Sequence, residues 1–444
     1  MMPLTAQQQE LIREASRNAI QGGFECLKEF WQTGEWLPDS NPYKKDCINE
    51  LKRAFPEGVT NIECHQLVEY IAASTVTHCF DGWSFLGRAL DAELSGDPDA
   101  ARHLGYYAEL RAAMSLLAGH GIGIFNRKHV IVKDDGQCCL FAGSMGTHDF
   151  AWEALECWGD TLMARDTLFE SIYPGNLPLK EWLNYYPGSA NFLASHWLKQ
   201  WGLDIARMAK DRDARNVASY RPTAFASSGS DTAKNVVASI CKLWELCEPR
   251  YDGGFQVMDR HILRASLQEA VKQKSEGSDE LDNSINYYQH DIQRILDNVD
   301  PQDLSKEYWK TFLLEIEQHP IFAEASGNLS VGEVGHSRQV LSRALLLLRV
   351  ATGSTSNLVK ACDGSKDDLA FWWSGTSVSR RLWNPDSPPD RFSDLWEDIN
   401  EIKGDLISAS DIPDASYHRI WTQHGQEVSV LATTERAALW GLCL

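Results

Sequence analysis

Three side chains at helical spacing, His103, Tyr107 and Arg111, are of types that could act together on a ligand. Each lies four residues from the next, so a helix through them puts all three on one face. A guanidinium carries five N–H donors in a planar fork and grips carboxylates or phosphates. The flanking His and Tyr add hydrogen bonds and ring surface. The same stripe also reads as a structural network, with Arg111 capping carbonyls of a neighbouring loop. On either reading Arg111 is expected to be more than half buried and hydrogen-bonded, since it sits among Leu110, Ala112, Ala113 and Met114. His120, His129 and His148 follow on the next segment and are near enough in sequence to converge on Arg111. The binding set expected from sequence is therefore Arg111, Tyr107, His103 and His148.

Other chemistry-bearing pairs are poorly spaced. Cys64-His65 and His78-Cys79 are separated by about four helical turns, or roughly 20 Å, whereas zinc ligands lie at about 2.0–2.3 Å from one ion. Cys138 and Cys139 are adjacent and point to opposite faces of any strand. No metal and no cofactor are expected. A Gly-x-Ser-x-Gly elbow, a phosphate-binding Gly-x-x-x-x-Gly-Lys loop and a His-Glu-x-x-His helix are all missing from the sequence. Gly119-His120-Gly121-Ile122-Gly123 precedes a strand pattern instead of following one, so it does not fit a dinucleotide fingerprint.

The segment Asp213-Ala214-Arg215-Asn216-Val217-Ala218-Ser219-Tyr220-Arg221-Pro222 resembles the motif of HEPN-type proteins. The resemblance implies a helical bundle in which the Arg holds phosphate and a His a few residues on acts on the RNA 2′-hydroxyl. Arg215-Asn216 matches. Tyr220 stands at the His position, and the next His downstream is His261. A phenol with a reference pKa of about 10 is a poor general base at neutral pH. The resemblance thus marks Arg215, Asn216 and Tyr220 as catalytic candidates while removing the base. Arg215 and Arg221 also have Asp211 and Asp213 nearby as salt-bridge partners.

The elements that must hold these residues are mostly helical. Residues 5–32 read as a first helix, 46–54 as a short one ended before Pro56, and His65 to Leu94 as a long one. Asp97 and Pro98 start the helix 99–118 as N-cap and first turn. Three short strands between 122 and 141 form an antiparallel meander, with Asp134-Asp135-Gly136 as a hairpin turn. Its apolar residues Ile122, Ile124, Val130 and Val132 should pack on the helix 99–118. Thr147 is the expected cap of the next helix. Helices follow at Asn191 to Met208, Thr232 to Cys247, 284–298, 303–318, 334–352 and 392–405, with a strand at Glu427–Leu431 and a short final helix. The expected fold is mainly α, a multi-helix bundle architecture with one small β-meander. Polar residues 274–283 suggest a boundary. The domains would be 1–160, helical with the meander; 161–275, helical and HEPN-like; and 284–444, helical.

Bulk composition narrows the functional classes. Of 444 residues, 43% are hydrophobic and 10% aromatic, with 16 Trp, enough for a large core. The net charge of −20 repels nucleic acid and anionic membranes, so nucleic acid could bind only at a local basic patch. Eleven irregularly spaced cysteines argue for free thiols and a reducing cytoplasm. The polar start and the shortness of every apolar run give no expectation of secretion or membrane insertion. Phe371-Trp372-Trp373 and Trp383, with Arg380-Arg381 between, read first as core and second as a stacking or interface surface. The leading expectation is a protein-interaction or scaffold component of a prokaryotic antiviral defence or toxin-like system, with a protein partner or a second copy. Its alternatives are a HEPN-like metal-independent ribonuclease and a small-ligand or nucleotide sensor using Arg111. Because Tyr220 replaces the base, purified protein should leave single-stranded RNA and tRNA intact in EDTA. Cleavage that disappears in Arg215→Ala would overturn this.

Overall fold

The structure is a computed structural model that describes residues 3–143, 145–186, 194, 198–199, 210–213, 216, 231–275, 281–330, 333–384, 386–412 and 415–442. Among them the chain is mainly α, with one small antiparallel sheet. In order, the elements are α1 (Ala6–Arg13), α2 (Arg17–Trp31), α3 (Tyr43–Ala54), β1 (Asn61–Glu63), α4 (His65–Leu94) and α5 (Pro98–Ala118). Next come β2 (Ile122–Gly123), β3 (Val130–Val132), β4 (Gln137–Leu140), α6 (Thr147–Gly159), α7 (Leu162–Ser171) and α8 (Leu179–Leu183). The remainder is α9 (Ala233–Leu246), α10 (Gln256–Ser275), α11 (Leu281–Asn298), α12 (Lys306–Leu314), α13 (Pro320–Ser326), α14 (His336–Ala361), α15 (Ala370–Arg380), α16 (Trp396–Ser410), α17 (Tyr417–Leu431) and α18 (Glu435–Gly441). Most of Asn191 to Met208 and the centre of the 274–283 boundary lie outside the described residues.

The expected first helix is two. α1 ends at its C-cap Glu14, and Ser16 caps α2, its hydroxyl accepting from Ala19 N, while its own N–H donates to Val132 O of β3. A serine that can satisfy both a helix start and a strand edge breaks an otherwise continuous helical pattern. The caps of α5 fall as expected: the Asp97 carboxylate accepts from Ala100 N, and Pro98 occupies the first turn. For α6 the cap is Gly146, and Thr147 is the first helical residue.

The sheet has a fourth strand, β1, in the order β1-β4-β3-β2, with Ile62 opposite Cys138 and Ile131 opposite Cys139. The packing expectation holds for one face. Ile122, Ile124 and Ile131 join the main core, which contains α5. Val130 and Val132 instead face a second core with Leu67, Val68 and Ile71 of α4 and Ile20 and Phe24 of α2. Alternate strand residues point to opposite sides, so a sheet covered on both faces divides its apolar residues between two cores. The expected strand Glu427–Leu431 is the end of α17, with Val428 and Leu431 buried at helical spacing. A kink at His424 interrupts the period there.

α4, α5 and α14 pack against one another and form the centre of the molecule. α14 is buried along almost its whole length. Trp31, Trp83, Trp152, Trp182, Trp244, Trp309 and Trp440 are fully buried around this centre. Phe371, Trp372 and Trp373 lie on α15 and pack half-buried on Trp36, Phe80 and Phe392. The ten described cysteines are free thiols.

α14 also buries charge. Arg343 binds both carboxylate oxygens of Asp211, at 2.7 and 2.6 Å from Nη2. Arg349 binds Asp259 through Nε at 2.6 Å and Nη2 at 2.8 Å, and also donates to Ser171 O. Glu109 of α5, fully buried, has its Oε1 3.5 Å from Arg343 Nε. Burial, reinforced by the Asp211 charge, raises the Glu109 carboxyl well above its usual range. Its unfolded value is about 4.3. Above that pH the unfolded chain releases a proton that the folded chain keeps, so this group's contribution to stability falls as pH rises. Glu109→Gln, a neutral isostere, should flatten the pH dependence of urea unfolding and match or exceed the parent's stability at pH 7. A loss of about 3 kcal/mol or more would instead mean that Glu109 is ionised and pairs with Arg343.

Candidate functional site on the outer face of α4 and α5

α5 buries every face but one, and the half-buried residues on that face include His103, Tyr107 and Arg111. The stripe expected from sequence therefore exists, with the His103 and Tyr107 rings 5.2 Å apart. What the sequence pattern missed is the matching stripe on α4. His78, Asp81 and Phe85 are half-buried at spacings of three and four residues. They meet the α5 stripe across the helix pair.

Arg111 keeps 31% of its side chain exposed, within the burial expected. Its Nη1 lies 2.7 Å from His78 Nδ1 and 3.6 Å from Asp81 Oδ2. A guanidinium can only donate, so His78 Nδ1 accepts and its proton sits on Nε2. Burial, with the Arg111 charge adding to it, lowers the His78 pKa to about 3. His78 therefore remains a neutral acceptor across the physiological range. Burial raises the Asp81 carboxyl above its usual value, opposed by Arg111, Arg88 and Arg380. One end of the face is aromatic. Phe85 stacks on Tyr107 at 5.4 Å, and the Arg88 guanidinium lies 4.2 Å above Phe85.

His148 joins this end. Its Nδ1 lies 2.9 Å from Tyr106 Oη, and its ring is 6.1 Å from that of Tyr107. His120 and His129 do not converge on Arg111. His120 is fully buried, with its ring nitrogens 3.1 Å from Met163 Sδ and 3.1 Å from Thr167 Oγ1. His129 bonds Met145 O, accepts from Phe125 N and stacks on Phe150 at 3.8 Å. Burial lowers both pKa values, that of His129 to about 4. Neutral, fully bonded histidines of this kind hold the meander and α7 in place.

Cys64, the N-cap of α4, lies against Tyr43 Oη, and Cys79, half-way along the helix, lies against Thr352 Oγ1. Among the described residues, no group of three or more His, Cys, Asp and Glu is arranged to hold a metal ion. Arg215 and Tyr220 lie outside the described residues, and Asn216 sits in a helical position, half-buried. Asp211, a salt-bridge partner suggested by sequence for Arg215 or Arg221, is held by Arg343 of α14. Arg212 pairs with Asp149 of α6 and with Asp213. The chain matches no protein-family model, no curated protein and no solved structure.

Proposed function

We propose that the protein binds a small anionic ligand on the outer face of α4 and α5, as a sensor does, with Arg111 as the anion-gripping residue. The observation that supports this is the Arg111–His78 contact. A neutral acceptor fixes the guanidinium without cancelling its charge, and the group stays partly exposed. Asp81 is the competing anion, but at 3.6 Å and half exposed it gains little from the pairing. A ligand carboxylate or phosphate can therefore displace it. The stacked Phe85 and Tyr107 rings offer an adjacent surface for an apolar or aromatic part of the ligand.

A scaffold role, the leading sequence expectation, has one observation in its favour. Ile316 is 86% exposed and Tyr308 45%, beside an open cleft on α12. Exposed apolar side chains of this kind occur at protein interfaces. No helix among the described residues is long and apolar enough to cross a membrane.

The ligand reading is tested by isothermal titration of adenosine monophosphate, citrate and glutamate into the parent and into Arg111→Gln. At least one probe should bind the parent, and Arg111→Gln should weaken it tenfold or more, about 1.4 kcal/mol. If no probe binds the parent, and Arg111→Gln only lowers stability, Arg111 is structural and the proposal fails.

A further inference from the structure

A second polar site lies on another side of α14. Arg349, Gly353, Ser356, Asn357 and Lys360 share one face of that helix. This face, the end of α7, the turn Arg250–Gly254 and Tyr173 enclose a cavity of about 210 Å³. The volume is below the roughly 300–1,000 Å³ of pockets for drug-sized ligands, so an occupant has to be small.

Two arginines line the cavity, and both are fixed by bonds that leave one nitrogen over. The Arg349 side chain is 3% exposed. Its Nε and Nη2 are taken by Asp259 and Ser171 O, whereas Nη1 has no partner among the described residues. That Nη1 lies above Gly353, where an added Cβ would stand only 2.6 Å away. Arg250 repeats the arrangement. Its Nε donates to Gly253 O and lies 3.4 Å from Asp252, and its Nη1 donates to Tyr173 O. Its Nη2 has no partner among the described residues and lies above Gly254, 2.9 Å from where a Cβ would be. Gly254 has φ +85°, a conformation that excludes most side chains in any case. The absent side chains at these two glycines keep the guanidinium ends uncovered.

Lys360, exposed at the rim, has no ion-pair partner among the described residues. Asp259 balances Arg349, and Asp252, 74% exposed, balances Arg250. The lysine is left as net positive charge. Two prepositioned N–H ends and an ammonium around a small polar cavity match the oxygens of a tetrahedral oxyanion. We infer that this cavity binds phosphate, either free or as the monoester of a small molecule, held by Arg250, Arg349 and Lys360.

The site is independent of the α4/α5 face, and its test is separate. Inorganic phosphate, glycerol 3-phosphate and glycerol are titrated into the full chain at constant ionic strength. Parallel titrations use Lys360→Met, Lys360→Arg, Arg250→Met and Arg111→Gln. Phosphate should bind the parent, Lys360→Met should weaken it about tenfold, and Lys360→Arg should recover most of the loss. Arg250→Met should weaken it further, and Arg111→Gln should bind as the parent does. Glycerol 3-phosphate binding more tightly than phosphate assigns a monoester, and equal affinity assigns free phosphate. Lys360 is exposed, so its variants keep the fold even if Arg250→Met does not. Absence of phosphate binding in the parent, or equal binding in Lys360→Met, overturns the inference.

Discussion

A guanidinium buried without a partner costs several kcal/mol, and α14 buries two of them at its centre, Arg343 and Arg349, each with 3% of its side chain exposed. Their partners come from distant parts of the chain. Asp211 belongs to a short helical segment and Asp259 to α10. The second pair gathers more than two helices. Asp259 also accepts from Tyr173 N, and Arg349 also donates to Ser171 O, so the end of α7 is fixed to the same point. Once these pairs form, α14 has one rotation and one register relative to α7 and α10. Its leucines then pack against α4 and α5, and the outer stripes of those two helices are left facing solvent.

The same constraint shapes the cavity. Arg349 is held on one side by Asp259, and its remaining nitrogen projects over Gly353. The charge is fixed by a structural bond and only partly used by it. Arg111 is a second version of this arrangement with a weaker counter-charge, since its closest partner is a neutral imidazole. The chain carries a net charge of −20, yet both sites present cationic donors. At physiological salt the screening length is about 8 Å, so the local groups outweigh the overall field.

Much of the helical frame was legible in the sequence, because α4, α5, α9 and α14 carry long runs of apolar positions, and α5 and α9 also start at side-chain caps, Asp97 and Thr232. Strand β1 was not, because three residues with one half-buried side chain carry too little pattern. The break at Ser16 depends on a strand 116 residues further on, at Val132. Helical periodicity showed His103, Tyr107 and Arg111 as one stripe. Their partners His78 and Asp81 were invisible to that reading because they lie on a different helix, although they follow the same spacing. The phosphate cavity was the least legible feature. Arg250 comes from a turn about a hundred residues before the helix that carries Arg349 and Lys360, and each arginine alone looks like half of a salt bridge.

The role of the buried pair in organising α14 is most directly tested by a double-mutant cycle on Arg349 and Asp259, followed by urea unfolding at pH 7. If the pair anchors the helix, Arg349→Met and Asp259→Asn should each lose about 3–5 kcal/mol, because each strands a buried polar partner. The double variant should then lose clearly less than the sum, since neither charge remains. Single losses below about 1 kcal/mol that add in the double variant would contradict it, and α14 would have to be held by its apolar packing alone.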